Sequence, residues 1–192
     1  MFILASKSPR RRELLSMLGL EFEIKTAEID ETMDPALVPA EAVAQVCQRK
    51  AQAIGQQNPG RLIVAADTIV VVEGRILGKP RSEAQAREML QLLSGRDHTV
   101  MTGFCLWRDG ALECHVEQTH LHFRSLSDAE IDAYIATGSP MDKAGAYGIQ
   151  DQAGCFVEAL DGDYYNVMGL PLCALTKALR LWGVPVLGTV EP

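Results

Sequence analysis

The chain has 192 residues, 47% hydrophobic and 22% charged, with a formal net charge of −7 and a pI near 5.1. That length allows one large domain or two small lobes with a substantial core, and the composition is that of a globular protein. The acidic balance argues against a long nucleic-acid polymer, which calls for a dominant basic face, and no apolar run reaches membrane-spanning length. The leading "MFILAS" is too short for a signal-peptide core, and the basic cluster follows it instead of preceding it, so a cytoplasmic location is expected. The cysteines at 47, 105, 114, 155 and 173 are odd in number, widely spaced and without a C-x-x-C pair. Reduced thiols are expected, several acting as small core residues, and no disulfide framework.

"FILAS" reads as a short buried strand feeding a helix that opens at Ser8 as N-cap and Pro9 at the first position, and stops at Gly19. Leu14, Leu15 and Leu18 give this helix an apolar face. Its first turn holds Arg10, Arg11 and Arg12, where the helix dipole is already positive and acidic residues are preferred. "EFEIKTAEID" alternates as a second strand ending in the acidic "EIDETMD" loop. A helix over about residues 40 to 55 turns Val43, Val46, Cys47 and Ile54 inward. "RLIVAADTIVVVEGRILGKP" predicts a buried strand interrupted at Asp67, a turn at Glu73-Gly74 and a short return strand.

Ser82 caps the next helix and Gly95 ends it, after which a long hairpin turns at Asp109-Gly110. A capping box from Ser127 to Glu130 begins a further helix that stops at Gly138. Another hairpin is expected around Asp161-Gly162, and a last helix from about Pro171 to Trp182. Strands and helices alternate, with hairpins too frequent for a purely parallel sheet, so the fold class is α/β with a mixed sheet and helices. A cleft between two lobes is plausible, since polar clusters fall in both the N-terminal and the C-terminal parts.

Four places carry charge that local structure does not ask for. Helix N–H groups at Ser8 together with Arg guanidinium groups suit a phosphate, against the plainer reading of an exposed basic face. Asp67 breaks an otherwise apolar strand and must meet a cation, a metal or a cleft. Lys79 in "LGKP" and Lys143 in "MDKAGAYG" sit in turns, and Lys50 on the second helix joins them. The acidic loop with Glu28, Asp30, Glu31 and Asp34 is plain surface unless it approaches Asp67, in which case two carboxylates make a hard-oxygen site for Mg²⁺ or Mn²⁺. His120 and His122 share a strand face, but their spacing matches no standard zinc set. Serine-hydrolase, P-loop and dinucleotide-binding signatures are absent. The residues alone therefore lead to metal-dependent attack on a nucleotide-like polyphosphate, without saying which phosphorus is attacked.

"LASKSPRRRELL", "RKAQA", "AADTIVVVEGRILGKP", "LSGRDHTVMTG" and "DKAGAYGIQDQAG", in that order, resemble the Maf family of nucleotide pyrophosphatases. The resemblance implies a single domain over residues 1–192, an elongated mixed sheet with two lobes and a central cleft, and a Maf/ITPase-like fold. It implies hydrolysis of nucleoside triphosphates to monophosphate and pyrophosphate with a divalent cation. Asp67 then matches the general base; Ser8, Arg11, Lys50, Lys79 and Lys143 match phosphate-binding positions; and Glu31 joins Asp67 as a metal ligand.

Arg10, Thr68 and Gln150 match the positions that separate substrate subgroups and resemble the dTTP/UTP set, where a 7-methyl-GTP set shows Trp, Gln and Glu. A glutamine suits a pyrimidine, since its carboxamide both donates to a ring carbonyl and accepts from the ring N–H. Arg49, before Lys50, departs from the glutamate common in relatives. The expected partners are nucleoside triphosphates, normal or modified pyrimidines, with no nucleic-acid polymer and no membrane; a homodimer is compatible with the resemblance. The alternative function is a non-catalytic nucleotide-binding regulator of cell division and septum formation, which the same resemblance implies.

Overall fold

The computed structural model describes residues 1–188. Its strands are β1 (Phe2–Ala5), β2 (Phe22–Ile24), β3 (Ile63–Val72), β4 (Arg75–Leu77), β5 (Asp97–Arg108), β6 (Ala111–Phe123) and β7 (Val157–Asp161). Its helices are α1 (Pro9–Met17), α2 (Pro39–Gly55), α3 (Glu83–Leu93), α4 (Asp128–Ala136), α5 (Tyr164–Met168) and α6 (Leu172–Leu181). The strands form one mixed sheet in the hydrogen-bonded order β2-β1-β3-β5-β6-β7, with β4 pairing to β3. This is the mixed α/β class that the alternation of elements predicts. Among the described residues no helix is long and apolar enough to cross a membrane.

Chain packing separates two compact units: residues 1–67, 102–117 and 169 onward in one, residues 68–101 and 118–168 in the other. In the first, β1 pairs in parallel with both β2 and β3, Ile3 lying opposite Glu23 on one side and Ile63 on the other. Helix α2 begins at Pro39 with Glu41 in its first turn, both suited to a helix start. It buries Val43, Val46, Cys47 and Ile54, as its periodicity predicts. Cys47, Ala51 and Ile54 pack with Ile3, Ala5, Ile63, Ala65, Cys105 and Trp107. The helix lies so close to the strands that a Cβ at Gly55 would fall 2.1 Å from the Trp107 ring, and one at Gly103 3.0 Å from Cys47 Sγ.

In the second unit β4 runs antiparallel to β3 and β7 antiparallel to β6. Val70, Val72, Leu90, Leu93, Phe123, Ile131, Tyr134 and Phe156 share its core. The capping box is present as expected: the Ser127 side chain accepts from the Glu130 N–H, and the Glu130 carboxylate accepts from the Ser127 N–H. Arg124 and these Ser127 bonds hold the Glu130 carboxyl down to about 2.

Several expectations need correction. Strand β3 runs unbroken through Asp67, because the side chain of a strand residue can turn out of the core without interrupting the ladder. Strand β2 is only three residues long, and residues 25 to 38 carry no regular strand or helix. Asp161-Gly162 does not turn a hairpin. There the chain enters α5, because Asp163 Oδ1 accepts from the Tyr165 N–H at 2.7 Å, as a helix cap does, and Asn166 Nδ2 ties the segment to Val100 O and Thr119 Oγ1. Finally, Cys105 and Cys114 form a disulfide across the β5–β6 hairpin, their Cα atoms 4.1 Å apart, while Cys47, Cys155 and Cys173 are free thiols. A hairpin turn places distant-looking cysteines directly opposite one another, which spacing alone conceals.

Candidate active site

Ser8 takes the extended backbone of an N-cap, but its side chain caps nothing; its N–H donates to Ser6 Oγ at 3.2 Å. The three arginines that follow diverge in environment. Arg12 is exposed and Arg10 half-buried, while Arg11 is buried with 8% of its surface accessible. Arg11 Nε donates to Gly169 O at 2.8 Å, and Nη1 donates to Ala66 O at 2.8 Å and Ser6 Oγ at 3.2 Å. Burial pulls the guanidinium pKa down, opposed chiefly by the negative charge of Asp67. Arg11 thus binds three segments of the first unit together: the β1–α1 turn, the middle of β3 and the entry to the last helix.

One residue past Ala66, Asp67 is half-buried on β3. Lys50 Nζ, from the fourth turn of α2, donates to its Oδ1 at 2.7 Å. The same ammonium lies 3.1 Å from Glu31 Oε1, contributed by the acidic loop. The side chains of Lys50 and Asp67 are 13% and 17% accessible, that of Glu31 59%. Residues from three separate stretches of sequence therefore meet as an ion-paired triad. Cys47, one turn before Lys50, is not reactive in this setting: burial pushes its thiol up to about 12, and its Sγ donates to Gly103 O at 3.1 Å.

The second unit holds the remaining predicted residues. Thr68 follows Asp67 on β3, and Lys79 is exposed. The turns carrying Lys79 and Lys143 meet, since the Gly145 N–H donates to Gly78 O at 3.1 Å. Lys143 is buried, its Nζ 2.7 Å from Asp142 Oδ1, 2.6 Å from Ser139 O and 3.5 Å from Asp151 Oδ2. Gln150 is exposed in the same loop. Two side chains outside the predicted set organise this loop: Asp151 and Tyr134, whose hydroxyl donates to the Asp151 carboxylate at 3.1 Å. Asp151 stands one residue past Gln150 in "GIQDQAG", where an acid inside a glycine-rich turn was the available signal.

Chemically, the first unit offers two hard-oxygen carboxylates at one ammonium. Among the described residues no three His, Cys, Asp or Glu side chains gather as a self-sufficient metal cage. Two carboxylates nonetheless suit Mg²⁺ or Mn²⁺ of the kind that completes its coordination with water and phosphate oxygens.

The description "Maf-like protein" matches residues 1–182 of this chain. A dTTP/UTP pyrophosphatase of Bacillus cereus is 46% identical over 184 residues, 96% of each chain. That of Halalkalibacterium halodurans is 49% identical over 181 residues, covering 94% of this chain and 95% of its own. Among solved structures, a HAM1 protein from Coxiella burnetii shares the fold at 16% identity, with a TM-score of 0.52 over 93% of this chain and 98% of that one. The blocks around Ser8, Lys50, Asp67, Lys79 and Lys143 are thus parts of one continuous likeness, and the chain belongs to the Maf-like family.

Proposed function

We propose that this protein is a nucleoside triphosphate pyrophosphatase acting on dTTP and UTP. Water and the triphosphate become the nucleoside monophosphate and pyrophosphate by cleavage of the α–β anhydride. The observation that carries this reading is likeness to dTTP/UTP pyrophosphatases at 46% and 49% identity along nearly the whole chain. The Glu31–Lys50–Asp67 triad is consistent with it, because it combines carboxylates for a metal with a cation for phosphate.

Asp67 is assigned the proton-accepting and water-positioning role. Asp67 and Glu31 are the residues that would hold Mg²⁺ or Mn²⁺, and a bound divalent ion would supply charge neutralisation of the phosphates and a more acidic water. Lys50, Lys79 and Lys143, with Ser8 and Arg11, are assigned to the phosphates; Arg11 and Lys143 already hold hydrogen-bond partners and act as much by fixing backbone as by charge. Arg10, Thr68 and Gln150 are assigned to substrate choice.

The test is pyrophosphate release from a panel of purine and pyrimidine triphosphates with Mg²⁺ or Mn²⁺, beside Asp67→Asn. Release from dTTP and UTP that disappears in the variant is expected. Tight nucleotide binding without release in any metal would favour a non-catalytic regulator, a reading that no feature of the triad calls for.

A further inference from the structure

The loop from Ser139 to Phe156 has little regular structure: three short 3₁₀ turns, at Ser139–Asp142, Ala144–Ala146 and Gln152–Phe156, with left-handed backbone at Gly145 and at Ala146. Such a segment needs side chains to define it, since it has no ladder of its own. Several of the polar contacts that do so converge on Asp151, which also lies 3.5 Å from Lys143 Nζ. Its carboxylate accepts from Ser139 Oγ at 2.6 Å, from the Ala153 N–H at 2.9 Å and from Tyr134 Oη at 3.1 Å.

Gln150 sits inside a four-residue turn, Gly148 to Asp151, closed by the Asp151 N–H donating to Gly148 O at 3.2 Å. Both ends of this turn meet the same hydroxyl. Tyr134 Oη accepts from the Gly148 N–H at 3.2 Å while it donates to Asp151. Gly148 packs closely on this cluster: a Cβ there would lie 2.6 Å from Lys143 Cε and 2.8 Å from Asp151 Oδ2. The Tyr134 ring is itself anchored, edge-on to Phe156 with centroids 5.4 Å apart. A rigid helix residue therefore clasps both ends of the turn and leaves Gln150 exposed between them.

We propose that Asp151, held by Tyr134, is a positioning residue that fixes Gln150 and thereby sets discrimination between pyrimidine and purine triphosphates. The proposal rests on the pyrophosphatase reading above. Hydrogen-bond readout of a base edge demands a carboxamide held in one place, since a mobile glutamine satisfies purine and pyrimidine edges alike. The Tyr134–Asp151 clasp supplies that constraint through backbone and needs no contact of its own with the base.

The experiment measures kcat/KM for dTTP, UTP, dATP and dGTP in the wild type, Asp151→Asn, Tyr134→Phe and the double variant, together with Tm and amide exchange at Gly148. The expected result is a fall of about tenfold in the pyrimidine-to-purine ratio in each single variant, the worth of one lost charge-assisted hydrogen bond. The double variant should fall by less than the two single losses combined, because the two substitutions share the Tyr134–Asp151 contact. Gly148 exchange should quicken in both singles. A purely structural role would instead lower Tm and scale turnover of all four nucleotides together. An unchanged ratio with wild-type turnover intact overturns the specificity role alone. A wild type that releases pyrophosphate from no nucleotide removes the activity reading, and the specificity role falls with it.

Discussion

Lys50 Nζ lies 2.7 Å from Asp67 Oδ1 while also 3.1 Å from Glu31 Oε1, so one ammonium on α2 is shared by a strand carboxylate and a loop carboxylate. The two acids are not equivalent. Asp67 is held on a continuous strand and is mostly buried, whereas Glu31 comes from an irregular, exposed loop. A group on a rigid element keeps its geometry through a reaction; a loop carboxylate adjusts to a metal or a ligand.

On the proposed general-base role, Asp67→Asn is expected to lower kcat by roughly 10²–10⁴. It should lower Tm as well, because the mostly buried Lys50 ammonium then keeps only the exposed Glu31 carboxylate as ion-pair partner. Glu31→Gln should act mainly on the metal concentration needed for half-maximal turnover. Titrating Mn²⁺ in both variants separates the two effects. Equal loss of kcat in both, at saturating metal, would count against the division of roles.

Arg11 gives a second test, because it donates to Gly169 O, Ala66 O and Ser6 Oγ within the chain itself. Lysine cannot reproduce a guanidinium fork, and Arg11→Lys leaves buried carbonyls without donors. Loss of about 2–4 kcal/mol is expected from such hydrogen bonds to a charged group. For a chain of this size that lowers Tm by roughly 5–10 °C in the absence of nucleotide. An unchanged ligand-free Tm would mean that Arg11 serves phosphate alone.

The pH dependence of stability should show His98. This residue is 3% accessible, shares a 2.8 Å hydrogen bond with Tyr147 Oη and packs edge-on against Phe123. Burial brings its pKa from 6.5 down to about 4. Between those values the unfolded chain binds the proton and the folded chain does not, so protonation favours unfolding. The stabilisation is complete above pH 6.5 and is lost as pH falls toward 4, amounting to roughly 3 kcal/mol by linkage. His98→Gln should flatten the urea-unfolding profile across that window. A variant with the wild-type slope would assign the acid loss to carboxylates such as Glu130, whose depressed pKa acts lower, between 4.5 and about 2.

Much of this is legible in the residues. Serine caps and glycine stops mark α3 and α4, and apolar spacing marks α2, because these signals are local and each carries its own hydrogen bond or packing cause. The anomaly of charge at Asp67 is legible for the same reason: a lone acid among Ile and Val must find a partner. Its partner is not, since Lys50 reaches it only through the packing of α2, and Glu31 joins only through its own contact with Lys50. Arg11 reads from sequence as a phosphate ligand because its three backbone and hydroxyl acceptors come from residues 6, 66 and 169, which no local pattern connects. Asp151 stays inconspicuous because its effect depends on a tyrosine 17 residues earlier. Cys105 and Cys114 look like separate thiols even when the hairpin between them is predicted; strand register, not spacing, makes them partners.

That disulfide leads to the last prediction. It closes a hairpin with a sequence separation of 9, and Cys114 is exposed while Cys105 is buried with its Sγ 3.9 Å from Ala44 O of α2. Solvent access at Cys114 lets an external dithiol attack, with the Cys105 sulfur as leaving group into the α2 interface. Loop-closure entropy for so short a loop is worth roughly 2–3 kcal/mol, so reduction should lower Tm by about 5–10 °C. Cys114→Ser should reproduce the reduced value and abolish its dependence on dithiothreitol. Because α2, against which Cys105 packs, also carries Lys50, the reduced protein is expected to lose its turnover earlier on heating. If Tm ignores dithiothreitol, the paired strands alone order the hairpin and the covalent link adds nothing to folding.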